Sequence, residues 1–353
     1  METLLETYGE GTVLLVVGGL VGIVFGAAAQ HSRFCLRAAT VEVAEGRFGG
    51  RLSIWLVAFS AAVFAVQTAV ATGVLNVSQA RQLASVGSLS GAIIGGLMFG
   101  VGMILARGCA SRLLVLSATG NLRAIITGLV LTLFAQASLT GVFAPAREAL
   151  AALWQVPGGS ARNMLTSLGM TSVTASVIAG AVLLGSFWLA AKRGVKLSHT
   201  IAAVFVGLAV AGGWLGTFLV AQSSFEIVAI TSVTFTGPST DTLMGLVNAR
   251  DLPFGFGVGL VPGVFIGAGG AALLTREWHI ERFGADTPME RYLVGAALMG
   301  FGSMLAGGCA VGAGMSGGAI FAVTAWIAVF CMWLGAMATH ALLQRRSATL
   351  VGA

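Results

Sequence analysis

The sequence predicts an all-α integral membrane protein built as an inverted repeat, and three observations predict it. Its residues are 57% hydrophobic and only 9% charged, where a soluble domain carries roughly a quarter charged residues. Apolar runs of roughly 20 residues, the length a helix needs to cross the hydrocarbon, recur from one end to the other, whereas barrel strands would be shorter and alternating. One glycine-rich stretch is also written twice. Met98-Phe99-Gly100-Val101-Gly102-Met103-Ile104-Leu105-Ala106-Arg107-Gly108-Cys109-Ala110 returns, in register and without a gap, as Leu298-Met299-Gly300-Phe301-Gly302-Ser303-Met304-Leu305-Ala306-Gly307-Gly308-Cys309-Ala310.

Composition also sets limits. The net charge of +6 does not indicate nucleic-acid binding, because the basic residues sit in short connections between apolar runs, where they orient the chain in the bilayer. Fifty-one glycines suit both close helix packing in lipid and breaks in helices. Cys35, Cys109, Cys309 and Cys331 are too scattered for a disulfide framework, and no CxxC or histidine-rich cluster indicates a metal. No metal, cofactor or enzymatic activity is expected. Residues 1–10 lack the basic start of a cleavable signal, so the first apolar run is expected to remain as a span.

Taken in order, the first span covers residues 11–30 and is followed by Arg33, Cys35 and Arg37 and a connection holding Arg47 and Arg51. These arginines put that connection in the cytoplasm and the N-terminus outside. The second span, 52–74, returns outward, to a loop with Arg81 as its one cation. From Leu89 the chain re-enters, but glycines and then Arg107-Gly108-Cys109 interrupt the helix. A regular span over 122–143 leads to an outer connection, and a linking span over 165–191 ends inside at Lys192-Arg193-Gly194-Val195-Lys196. Residues 200–220 go out, and the stretch 222–253 is expected to dip back into the membrane. Residues 255–274 come inward to a charged connection over 276–291, the second cysteine segment follows, and a last span over 319–342 ends at cytoplasmic Arg345-Arg346.

About nine spans result, with short broken or re-entrant helices. They divide into a first repeat (1–145), a linking helix (146–197) and a second repeat (198–353) that enters the membrane from the opposite face. Irregular backbone at membrane depth is tolerated only when buried in protein or lining a polar cavity, so the breaks mark a site. Inverted repeats with broken helices meeting near the midplane are a common build of transporters.

The repeat axis is expected to bring Cys109 and Cys309 together. A thiol is a weak donor and a soft, polarizable group, and the start of a half-helix adds free N–H groups and a positive dipole end. Together they suit an anionic, sulfur-bearing substrate. Gly108 and Gly308 open the backbone beside each thiol. Arg107 stands two residues before Cys109 as an intramembrane cation that usually faces a cavity or a partner; Gly307 holds the matching place. Ser111, Ser303 and Ser316 are further donors to the same anion. Cys331, with neither break nor repeat partner, reads as packing.

The sequence resembles the YeeE/YedE family of membrane proteins with sulfur-transport domains. The residues that carry the likeness are Ser32-Arg33-Phe34-Cys35, Ala106-Arg107-Gly108-Cys109-Ala110-Ser111, and Leu305-Ala306-Gly307-Gly308-Cys309 followed by Gly312-Ala313-Gly314-Met315-Ser316-Gly317. The resemblance implies thiosulfate uptake across a prokaryotic inner membrane in an hourglass-shaped fold. Cys35, Cys109 and Cys309 would relay the ion through thiol hydrogen bonds, with a small TusA-like sulfur carrier as cytoplasmic partner. Relatives handling selenium keep a selenium compound open as substrate. A membrane-embedded thiol oxidoreductase using Cys109 and Cys309 is the alternative of a different class.

Overall fold

The computed structural model describes residues 2–248, 250, 252–282 and 288–351; positions 283–287 of the charged connection lie outside the described residues. The first half contains α1 (Glu10–Ser32), α2 (Leu36–Ala44), α3 (Gly50–Ala71), α4 (Leu89–Leu105), α5 (Ala110–Ala118) and α6 (Leu122–Leu139). Then come the linking helix α7 (Ser172–Lys192) and α8 (Leu197–Ser223), α9 (Thr236–Asn248), α10 (Phe256–Leu274), α11 (Met289–Ala306), a π-helical turn over Gly312–Gly317, and α12 (Val323–Val351).

Among the described residues, eight stretches are long and apolar enough to cross a membrane, with α1–α2 and α4–α5 each counted as one. The remaining segment of the nine expected from the sequence is α11. Its 18 residues carry Glu290 and Arg291 in the first turn, and it packs on α4 and α6. Among the described residues, strand is confined to the pair Gly87–Ser88 with Gln155–Val156, which ties the loop before α4 to the linker.

Polar residues set several helix starts. Ser88 accepts from Gly91 N ahead of α4, Asn121 from Ala124 N ahead of α6, and Thr171 forms a capping box with Thr174 ahead of α7. Each such cap is worth about 1 kcal/mol. The cap at Thr171 is why the linking span begins at Ser172 rather than near 165: the preceding residues form a separate short helix, Met164–Ser167.

Lipid tails are as apolar as leucine, so helices in a bilayer hold together by close contact rather than by exclusion from water. Glycines supply that contact between α1 and α10. A Cβ built on Gly18, Gly22 or Gly26 would lie 2.1, 2.4 or 2.3 Å from the carbonyl oxygens of Phe256, Leu260 and Val264. Gly259, Gly263 and Gly267 return the arrangement against Leu15, Gly19 and Ile23, at 2.0, 2.3 and 2.1 Å. Packing partners also exchange between the halves: α1 lies on α10 as α8 lies on α3, and α4 lies on α12 as α11 lies on α6. α4 and α11 meet each other, as do α1 and α8.

This packing predicts that Gly22→Val separates α1 from α10 and costs at least the 1–3 kcal/mol typical of overpacking (roughly). Gly185→Ala on α7, where nothing lies within 4 Å of the added carbon, is expected to leave the melting temperature of the detergent-purified protein unchanged. Equal melting temperatures for the two variants would contradict the assignment.

Candidate functional site

Three of the chain's helix ends close in the same way immediately before a cysteine. A helix ends on a residue in the left-handed region, Arg33 (φ 54°), Arg107 (φ 54°) or Gly307 (φ 79°). The next N–H then reaches five residues back: Phe34 to the Ala29 carbonyl (3.1 Å), Gly108 to Met103 (3.2 Å) and Gly308 to Ser303 (2.9 Å). This is the Schellman closure, which satisfies a carbonyl the broken helix leaves open. The cysteine follows, and its carbonyl accepts the first bond of the next turn, from Ala39, Leu113 or Ala313. Cys35 and Cys109 are the N-cap residues of α2 and α5, and neither side chain is used in capping. The Cys35 and Cys109 thiols are therefore held at helix starts without accepting a capping bond from the first turn.

Cys109 and Cys309 are each 1% exposed, and Cys35 is half-buried. The Cys109 sulfur lies 3.3 Å from Ser111 Oγ. The Cys309 sulfur accepts from Gly312 N at 3.5 Å and lies 3.9 Å from Thr234 Oγ1. Cys109 is within electrostatic range of both Cys35 and Cys309, and all four cysteines are free thiols. Cys331 packs on α4, its Cβ 2.9 Å from the place a Gly96 side chain would occupy.

The other expected residues divide. Ser316 donates its hydroxyl to the Val233 carbonyl at 2.6 Å, and Trp214 Nε1 donates to the Ser316 carbonyl at 3.3 Å. Ser316 thus holds the extended segment before α9 against the π turn, and that segment brings Thr234 to Cys309. Ser303 bonds its own helix at the Gly300 carbonyl. A side chain on Gly308 would approach Ala313 N to 3.0 Å, whereas at Gly108 it would meet Leu113 at an ordinary 3.4 Å. Arg107 is exposed and in electrostatic range of Arg37, which also faces Arg291 and Tyr292. Sequence reasoning missed Thr234, whose signal was the hydroxyl-rich run Thr231 to Thr236 in an apolar chain. It also missed Arg112, which reaches Gln30 Oε1 at 3.5 Å.

A cavity of about 670 Å³ opens on the face that carries Arg81, Arg147 and Arg162, and reaches Thr234, Gly307, Gly308 and Ala313 around the second break. A smaller hollow of about 260 Å³ elsewhere is lined by Arg33, Arg51, Lys196 and His199 with Glu42 and Ser32. Gln30 and Arg33 bridge to Glu277, each at 3.1 Å, fastening the first break to the end of α10.

Helices that break at buried thiols, with a polar cavity leading from one face to a break, define a multi-pass membrane protein of the transporter class. A family described as Sulphur transport matches residues 31–338. The chain belongs to that family. Two relatives, each named thiosulfate transporter TsuA, come from Spirochaeta thermophila and Escherichia coli. The first is 26% identical over 348 residues, covering 94% of this chain and 100% of the relative. The second is 26% identical over 352 residues, covering 91% of this chain and 92% of the relative. Both relatives are named for transport, not for an enzymatic reaction.

The matched positions Arg107 and Gly307 share a left-handed backbone, which strains any residue with a Cβ by about 1 kcal/mol. Arg107→Gly is expected to raise thermal stability in detergent slightly, and Gly307→Ala, with open space around it, to lower it by a similar amount. A large loss at Arg107→Gly would show that the arginine side chain is needed for folding.

Proposed function

We propose that the protein takes up thiosulfate, or a closely related sulfur-containing anion, across the inner membrane of a prokaryote. The ion passes Cys309, Cys109 and Cys35 in turn, held by thiol hydrogen bonds without covalent turnover. The observation that carries this reading is the threefold recurrence of one break, each delivering a thiol to a helix start. Membership of the Sulphur transport family and relatives named for thiosulfate support the choice of ion.

A dianion leaving water needs donors, and a path needs donors weak enough to release it. A neutral thiol donates weakly and is polarizable enough to suit a sulfur-bearing ion. The helix starts after Cys35 and Cys109 add partial positive charge. Ser111 and Thr234 extend the donor set at Cys109 and Cys309. Arg107 supplies a cation beyond the buried thiols, and Gly108 and Gly308 keep the backbone accessible.

Residues 1–145 and 198–353 form the two oppositely oriented repeats of an hourglass, joined by 146–197. The paired exchange of helix contacts supports that reading. By the arginine bias, the N-terminus is outside and the C-terminus cytoplasmic, which makes the larger cavity the outer mouth. A TusA-like carrier receives the sulfur on the cytoplasmic side.

Labelled thiosulfate uptake by cells without another route tests the relay. A hydrogen bond to a charged group is worth about 1.5–3 kcal/mol, so Cys109→Ala is expected to lower uptake by roughly ten- to a hundredfold. Cys109→Ser, which keeps a donor, is expected to retain more activity than the alanine variant. Parent-like uptake by Cys109→Ala removes the relay, and a substrate panel including sulfite and selenium oxyanions then decides the ion.

A further inference from the structure

The larger cavity holds a second feature, remote from the cysteines. Arg162 lines it and is only 6% exposed. Its Nη1 donates to the Ser85 carbonyl at 2.7 Å and its Nη2 to Thr324 Oγ1 at 2.6 Å, while Nε has no partner. Among the described residues no carboxylate lies within salt-bridge distance of it. The other cations of the cavity are better served: Arg147 pairs with Glu148 at 2.9 Å, and Arg81 is in electrostatic range of Asp241. Burial, and after it the nearby Arg81, push the Arg162 guanidinium below its ordinary pKa. A buried charge without a counter-ion is costly, and an anion in the cavity would remove that cost.

Thr236 gives a second, independent sign. It lines the same cavity, is 1% exposed, and its Oγ1 has no hydrogen-bond partner. Thr324, having accepted from Arg162, keeps its own hydroxyl proton to donate. Gly87 leaves room for the guanidinium: a Cβ there would lie 2.6 Å from Arg162 Cζ. The site is also tied to the second break. Asn163 forms an isolated β-bridge with Ala322, and Met164 N donates to the Phe321 carbonyl at 2.9 Å, just beyond the π turn that follows Cys309.

We propose that Arg162, with Thr324 and Thr236, forms a recruitment site for divalent oxyanions ahead of Cys309, and that this site does not distinguish sulfate from thiosulfate. Its donors are N–H and O–H groups that recognise charge and oxygen, and no sulfur atom stands among them. Discrimination is left to the thiols deeper in. The direction of entry rests on the uptake reading above; the binding of oxyanions at Arg162 does not.

The test uses the full-length protein in detergent and in proteoliposomes. Sulfate and thiosulfate are each expected to raise the melting temperature of the parent. They should do the same for Cys109→Ala, whereas Arg162→Gln should lose the sulfate shift and keep a reduced thiosulfate shift, because the thiols remain. In transport, sulfate is expected to compete with labelled thiosulfate without itself accumulating. Arg162→Gln should raise the thiosulfate KM about tenfold, as expected for losing one charge-assisted hydrogen bond, with a far smaller change in maximal rate. Arg162→Lys should fall between. A folded Arg162→Gln protein with parental KM and undiminished sulfate competition overturns the proposal. If that variant does not fold, failure of sulfate to stabilise the parent or to compete overturns it equally. Parent-like uptake by Cys109→Ala would remove the relay and leave the melting result at Arg162 standing.

Discussion

The constraint on which this structure depends is that lipid cannot satisfy a broken backbone. A helix interrupted at membrane depth leaves carbonyls on one side of the gap and N–H groups on the other, and each unsatisfied group costs several kcal/mol in hydrocarbon. At the three cysteine breaks the chain meets the first half of this demand in one way, with a left-handed residue and an N–H that reaches five residues back. The second half is met only in part, because the cysteine side chains ahead of α2 and α5 do not cap. The breaks thus conserve hydrogen bonds where the helices end and leave donors where they restart.

Such breaks must be enclosed by protein, and the glycine contacts provide the enclosure. α1 against α10 approaches so closely that six positions exclude a Cβ, and α4 against α11, the two helices that end at Arg107 and Gly307, is nearly as tight: a Cβ on Gly95 would lie 2.5 Å from the Gly302 carbonyl. The glycines that looked in the sequence like either packing or flexibility prove to be mainly packing. At the cysteine breaks a left-handed backbone falls on glycine at Gly307, and at the other two arginine adopts the same conformation.

That substitution explains what could be read in the sequence and what could not. The duplicated stretch exposed Cys109 and Cys309 because neighbouring glycines made the repeat visible. Cys35 has the same break with Arg33-Phe34 in place of any glycine, so local composition understates it. The helical membrane class follows directly from composition, whereas the start of α7 was displaced by a cap at Thr171 that hydropathy does not register. Thr234 and Arg162 were not legible as site residues. Their contacts are with residues 75 and more distant in sequence, such as Thr234 with Cys309 and Arg162 with Thr324, and the one local sign, the hydroxyl-rich run around Thr234, does not say what it meets.

The charges then order the rest. The cavity face carries arginines and hydroxyls, the breaks carry neutral thiols, and Arg37 and Arg112 lie in electrostatic range of Cys35, Arg112 of Cys109 as well. Fixed cations attract an anion strongly and release it slowly, so a path made of them alone would hold its ion; on the proposed path, neutral thiols between two basic regions would shorten its residence. The difference between Arg107 and Gly307 fits this division. Gly307 borders the open cavity, where Arg162 already supplies the cation, and a second arginine there would deepen binding without helping release. On the proposed path, the exposed Arg107 would add its charge past the buried thiols, where an ion leaving Cys109 next needs attraction. The same left-handed backbone at the two breaks thus carries two different side chains, which the proposed path would use at its opposite ends.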